Sequence, residues 1–444
     1  MLFNIKKIIC FFIFIFSQNL FCSEISQDNN NDNIAFQVNA IQQYGKLRCQ
    51  EILVGKSQRL AKIGKIIKYD LEFPDQLEVD LKKTDKELDS KTEKKLFNKD
   101  FSLCVYLTEL PDNKIKVKAK DISSDKIIFQ NNFEVLDKRI ALDCHFISDQ
   151  LLPNLTGEKS ICLNSLVYSK TLSPKHKVIC ISDYACNTSK TIVHSPAINI
   201  APCWHTQAPV IFYSQLTKTN NRLMSVNLAT RNHKVICSYD GLNMQPSFSQ
   251  DGKKAVLCLS GGKNSELYLY DQDKTKNTKN HKYTKLTNNK GNNSSPCLLE
   301  NGDVIFCSDF ENSRPQIYYL DRKNGCTKRL TNGRGYCAAP SYCQKNNSIV
   351  YTRPVNDTFQ IFSLSLDNFN TVQERQLTFT SGNKHEPSFS DCGNFVAFAY
   401  EVAQEKGPKI SQLAVLNCNS GKIRVLTNSK ENKNFPRWSN KTIL

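Results

Sequence analysis

Pro246-Ser247-Phe248-Ser249-Gln250-Asp251-Gly252 leads into the apolar run 255–260, then into Glu266–Asp271, and the unit closes on Lys285-Leu286-Thr287. It opens on proline, sets an aromatic residue two positions on, and turns at Asp-Gly. Two further β-rich runs follow. Asp-Gly supplies the positive φ that a tight hairpin requires. The alternation Leu267-Tyr268-Leu269-Tyr270 suits a strand packed between neighbours. The same unit recurs downstream. One copy has Pro296, Asn301-Gly302, 304–308, Gln316–Asp321 and Arg329-Leu330-Thr331. The next has Pro340, 348–352, 360–366 and Gln376-Leu377-Thr378. A further copy has Pro387-Ser388-Phe389-Ser390-Asp391-Cys392-Gly393, 395–400, 412–417 and Val425-Leu426-Thr427. Upstream stands Pro202 with Trp204, and the chain closes on Pro436-Arg437-Trp438-Ser439.

The six prolines are separated by 44, 50, 44, 47 and 49 residues. A period in the forties, with several short strands per unit, reads as the blades of a β-propeller. A partial unit at 155–200 carries strand-like runs at 165–170, 177–183 and 190–194 but no proline-led strand. Residues 436–444 supply only that strand. Joined, they make a sixth blade and close the ring through both ends, which removes exposed sheet edges. The expected architecture is therefore an α/β N-terminal domain followed by an all-β six-bladed β-propeller over 153–444.

The front of the chain has a different pattern. Lys6 and Lys7 precede the apolar run 8–16, too short to span a membrane, which reads as a signal peptide over 1–23. Residues 24–33, with Asp28-Asn29-Asn30-Asn31-Asp32-Asn33, read as a disordered tail. In 34–152, Leu60, Ile63, Ile66, Ile67 and Leu71 share one helical face. Runs at 101–107, 115–121 and 126–135 are β-rich, and Ile140, Cys144, Ile147 and Leu151 mark a final helix. This predicts a small α/β domain. The stretch 82–95, dense in both charge signs, reads as a solvated helix or loop.

The formal charge of +17 lies largely in Lys–Asn turns such as 274–282 and reads as solvated loop surface. Of 18 cysteines, sixteen remain once Cys10 and Cys22 leave with the signal peptide, and none forms a CxxC pair. Several end apolar runs, as in Val235-Ile236-Cys237, and read as free core thiols. There is no GxSxG, HExxH, Walker A or dinucleotide motif. The seven histidines show no metal spacing. This leaves a non-catalytic binding protein, without cofactor or metal, as the expected class. The competing class is an exported propeller enzyme, such as a polysaccharide lyase, which would need Arg314, Arg353, His385 and Glu386 to converge in one channel mouth. A scaffold for another protein ligand is the third reading.

Further stretches carry a resemblance. Ile63-x-x-Ile66-Ile67-x-x-Asp70-Leu71-Glu72-Phe73, Leu155-Thr156-Gly157-Glu158-Lys159, Ser182-Asp183-Tyr184, Thr191-Ile192-Val193 and Phe435-Pro436-Arg437-Trp438-Ser439 resemble the TolB family, periplasmic proteins of the Tol-Pal system. The resemblance covers nearly the whole mature chain. It implies a periplasmic adaptor, monomeric, with no nucleic-acid partner and no membrane span. Such an adaptor binds the lipoprotein Pal with its propeller and TolA through its N-terminal tail. It serves outer-membrane integrity and invagination during cell division. By the same resemblance, Pal contacts come from loops just before the proline-led strands. Here those loops are 242–245, 292–295, 336–339, 385–386 and 434–435, and the positions singled out in them are Leu242, Asn243, Met244 and Gln245; Asn293, Ser294 and Ser295; Ala338 and Ala339; and His385 and Glu386. Leu242 stands where relatives often carry His, and Ser294 where some carry Thr.

Overall fold

A computed structural model describes residues 46–439 other than 98, 261–263, 276–282, 312, 332–334, 368–372 and 403–407. The expected signal peptide, the expected tail and most of the Lys–Asn turn at 274–282 lie outside the described residues.

The first described strand, β1 (Leu47–Val54), leads into α1 (Gln58–Glu72). Ser57 caps α1 by accepting the Leu60 N–H at 2.9 Å. Leu60, Ile63, Ile67 and Leu71 turn inward, as their spacing requires. There follow β2 (Leu77–Thr84), α2 (Ser90–Phe97), β3 (Phe101–Glu109), β4 (Lys114–Asp121), β5 (Lys126–Glu134) and α3 (Ile140–Thr156). The sheet runs β2-β1-β3-β4-β5, with β1 parallel to both neighbours and the rest antiparallel. Gly157, at φ 74°, ends α3 by donating to Pro153 O. The stretch 82–95 is largely solvated, as its charge suggests, with Glu93 as its one buried residue. Glu93 on α2 is buried, accepts from Lys120 Nζ at 2.5 Å and also takes the Tyr106 hydroxyl. A buried carboxylate is tolerated when it is paired in this way.

The rest of the chain is a β-propeller with an N-terminal α/β region in front of it. The strands β6 (Ser165–Ser173), β7 (His176–Asp183), β8 (Ser189–Val193), β9 (Ile198–Trp204), β10 (Val210–Leu216), β11 (Asn221–Asn227) and β12 (His233–Cys237) come first. Four clear blades follow, each an antiparallel four-stranded sheet. They are β13–β16 (Asn243–Phe248, Lys254–Leu259, Glu266–Asp271, Tyr283–Lys285) and β17–β20 (Asn293–Leu298, Val304–Ser308, Gln316–Asp321, Cys326–Arg329). Then come β21–β24 (Ala338–Cys343, Ser348–Val355, Thr358–Ser365, Glu374–Gln376) and β25–β28 (Asn383–Phe389, Phe395–Val402, Ile410–Asn417, Ile423–Val425). The strand β29 (Lys433–Trp438) returns to pair with β6, Trp438 opposite Leu166. It thereby joins one sheet ordered β12-β11-β10-β9-β7-β6-β29, with β8 on β7. Within that sheet β7 and β9 touch through a single parallel bridge, Lys177 to Ile198.

The repeated residues have repeated uses. Proline sits on strands β13, β17, β21 and β25, which are sheet edges and so forgive its missing N–H. Its neighbour Ser closes the ring from blade to blade. Ser247 Oγ accepts Leu298 N–H at 2.9 Å, Ser341 Oγ accepts Phe389 N–H at 3.1 Å, and Ser388 Oγ accepts Trp438 N–H at 3.2 Å. The Leu-Thr ending is a latch. Thr331 Oγ1 donates to Gln316 Oε1 at 2.7 Å and accepts Ile317 N–H at 3.1 Å. Thr287, Thr378 and Thr427 do the same with Glu266, Gln360 and Gln412. All sixteen described cysteines are free, and most are buried.

Candidate partner-binding surface

The loops before the proline-led strands reach one mouth of the propeller, and a shared distortion shapes them. The residues before five of the prolines, Ala201, Ser295, Ala339, Glu386 and Phe435, have φ between 49° and 56°. Non-glycine residues rarely adopt this region, and bulky ones least of all. Each inner strand is also bulged at this point, for instance between Met244 and Ser247 and between His385 and Ser388. A bulge re-aims the side chains on either side of it. Strain of this kind persists only where the surroundings enforce it.

The structure brings the expected contact positions to this mouth but turns most of their side chains inward. Leu242 is 7% exposed and packs with Met244, Val256 and Ile200; its N–H donates to Ser260 Oγ at 2.6 Å. Asn243 is wholly buried. Its amide donates to Tyr239 O at 2.7 Å and Asn221 O at 3.1 Å, and its oxygen accepts Tyr239 N–H. Asn293 is equally buried and donates to Ser265 O and Glu266 Oε2. Ser294, Ser295 and Ala338 are buried, and Ala339 is half-buried. The Gln245 side chain lies outside the described residues.

His385 packs its ring 4.9 Å from Phe359, with Nε2 3.8 Å from Glu401 Oε2. That imidazole, with Asn383, holds the Glu401 carboxyl below its ordinary range against the pull of burial. Burial pushes Glu386 up, opposed by the Phe435 N–H it accepts at 2.6 Å and by His385, Arg437 and Lys177. The four residues an enzymatic reading would gather have different surroundings. Arg314 is exposed, and Arg353 pairs with Glu374 at 2.5 Å on a separate strand pair. Only His385 and Glu386 are adjacent.

Among the residues these loops expose are two aromatic ones. Phe379 is 75% exposed and Tyr239 49% exposed, each in a loop that leads into an inner strand. Tyr239 stands edge-on to Tyr283, and Tyr336 edge-on to Phe359. Amphipathic and aromatic side chains on a rigid rim are the usual anchors of a protein interface. Neither Tyr239 nor Phe379 was singled out by the sequence reading. The available signal was an aromatic residue directly after the short outer strand's Leu-Thr or Cys-Ser ending, in an otherwise polar loop.

The fold defines a class: a β-propeller behind an α/β region. Residues 152–442 match the family model described as the TolB beta propeller domain. A Tol-Pal system protein TolB of Helicobacter pylori strain HPAG1 is 28% identical over 337 residues, which is 69% of this chain and 77% of the relative. Another of that name, from Francisella tularensis subsp. mediasiatica, is 25% identical over 291 residues, 64% of this chain and 65% of its own. The crystal structure of TolB from Acinetobacter baumannii superposes with a TM-score of 0.75 at 21% identity, covering 89% of this chain and 97% of that one, and so shares the fold. The chain belongs to the TolB family.

Proposed function

We propose that this chain is a non-catalytic periplasmic adaptor of a Tol-Pal system. In this reading its propeller binds the lipoprotein Pal and its N-terminal tail binds TolA, supporting outer-membrane integrity and invagination during division. The observation that carries the reading is the family match across 152–442, joined to relatives bearing the Tol-Pal name. The eight-stranded sheet is counted as two blades, β29-β6-β7-β8 and β9–β12, because one bridge alone joins them. That makes six blades in all.

The proposed Pal surface is the mouth formed by 242–245, 293–295, 338–339 and 385–386. The buried members hold the loops, and Tyr239 and Phe379 make the outward contact. Loops already fixed by the blades lose little ordering entropy on docking. Calorimetric titration of the chain with the soluble domain of Pal from the same cell tests this. Saturable one-to-one binding is expected, weakened at least tenfold by Phe379→Asp and by Tyr239→Asp with the melting temperature unchanged. Leu242→Asp is a poor probe, since a carboxylate there would be buried among apolar groups. A folded protein that gives no complex, or one indifferent to both exposed substitutions, would count against the reading. Deleting 24–33 is expected to remove TolA capture and leave Pal binding intact.

A further inference from the structure

A cavity of about 930 Å³ runs along the propeller axis from the proline-led strands to the hairpin turns that end them. It opens at the hairpin turns, and its inner end reaches Ala201 and Ser295 beside the mouth loops. Pockets of this volume accommodate small organic ligands. Its wall carries one cation in an unusual state. Arg437, directly after Pro436, donates from Nη1 to Glu386 O at 3.1 Å and Pro436 O at 2.9 Å. Among the described residues, no carboxylate stands within ion-pair distance of its guanidinium, and Nε and Nη2 have no protein acceptor. The carboxylate whose charge acts most strongly on it, Glu386, is engaged by the Phe435 N–H. The two thiols whose charge would bear on it are neutral: burial pushes Cys203 up to about 12 and Cys297 to about 11. At the rim, Lys159 is paired with Asp391.

The half-buried Arg437 guanidinium feels the charge of Glu386 without pairing with it, which leaves one donor edge free for an anion in the cavity. The Nε–Nη2 edge presents two parallel N–H donors, the geometry a carboxylate matches with both oxygens. We propose that the axial cavity is a binding site for a carboxylate, anchored by Arg437 and entered from the hairpin-turn end. The carboxylate belongs either to a small organic acid or to the free C-terminus of a peptide. The inference does not rest on Pal recognition, although Ser295 and Glu386 belong to both surfaces.

The test is titration of the whole chain with succinate, with tetra-alanine as free acid and as C-terminal amide, and with inorganic phosphate. Saturable binding of succinate assigns the site to small organic acids. Binding of the free-acid peptide but neither its amide nor succinate assigns it to a chain terminus. In either case Arg437→Ala is expected to weaken binding at least tenfold, and Arg437→Lys less. If Arg437→Ala does not fold, Cys203→Asp supplies the carboxylate internally and is expected to abolish succinate or peptide binding and raise the melting temperature. Binding of phosphate alone, no binding at all, or binding indifferent to the substitution at Arg437 or Cys203 overturns the proposal.

Discussion

Three residues before each blade proline the chain places Asn199, Asn243, Asn293, Cys337, Lys384 and Lys433, all buried. Asn199, Asn243, Lys384 and Lys433 donate to carbonyls of the loop just passed, and Asn293 donates to the Asn289 side chain of that loop and to Ser265 O. Lys384 Nζ gives hydrogen bonds to Thr380 O, to Ser381 O at 3.0 Å and to Gly382 O at 2.8 Å. Burial lowers Lys384 to about 8, below its unfolded value near 10.4. The unfolded chain therefore binds more protons between these values, and stability contributed at this site rises as pH climbs from about 8 to about 10.4. Lys384→Asn, which imports the solution used at Asn243 and Asn293, is expected to flatten that part of the pH–stability curve. Urea midpoints at pH 7.5 and 10 check it: an unchanged difference between them would refute the assignment. The sequence placed these loops at a mouth but not the direction of their side chains. A strand alternates in steps of two, and the bulge at each X-Pro breaks the count between Asn243 and Ser247. Asn243 and Asn293, read as contact residues, are for that reason inside.

At the level of elements, the blade strands were legible because each carries a repeated pattern bounded by turn residues. The latch within the pattern was not, since Thr331 meets Gln316 fifteen positions earlier. Thr331→Val keeps the shape and removes the hydroxyl, leaving Gln316 Oε1 and the Ile317 N–H without this partner. The expected loss is about 1–3 kcal/mol for buried polar groups left unsatisfied. A urea midpoint lowered at constant m-value checks it, with Thr331→Ser close to wild type. Gly291 is a point of the same architecture where backbone meets backbone closely. A Cβ there would stand 2.4 Å from Phe310 N and 2.5 Å from its Cα, both backbone atoms that cannot swing aside. Gly291→Ala is expected to cost at least about 1–3 kcal/mol, the range for overpacking. In the front domain, β3, β4 and β5 read cleanly from alternation, but β1 did not. Its Gln50 and Glu51 are polar residues inside the fold, and they interrupt the apolar signal.

At the scale of the molecule, the residues that carry the family resemblance outside the blades converge on the joint between the α/β region and the propeller. Phe73 packs 4.8 Å from Tyr184 and 5.9 Å from Phe395, and the Arg424 guanidinium lies over its ring at 5.1 Å. Asp75 takes Arg424 at 2.6 Å and Lys422 at 2.9 Å, which outweigh the effect of burial and hold its carboxyl low. At the centre, Asp70 on α1 accepts the Tyr184 hydroxyl at 2.6 Å from the propeller and stands 2.9 Å from His145 Nδ1 on α3. Burial pulls His145 down, but the hydrogen bond and charge of Asp70, with Asp183 behind it, leave it above its ordinary value. A histidine raised on folding adds stability that is complete below its unfolded value near 6.5 and is lost as pH rises through the folded one. Glu51, wholly buried with no partner on either oxygen, is raised by burial and contributes a loss of its own from about pH 4.3 upward. The two are separable by difference. Wild type minus His145→Gln is expected to show a stability gap that narrows only above about pH 6.5, whereas Glu51→Gln removes the slope that begins lower. Because Tyr184 belongs to the propeller and His145 to α3, the histidine's share should appear as looser coupling of the two regions. Hydrogen exchange localised to α1, α3 and 182–188 should rise between pH 6 and 8 in wild type and stay level in His145→Gln. Equal exchange in both proteins would reduce the trio to packing without a proton-linked role.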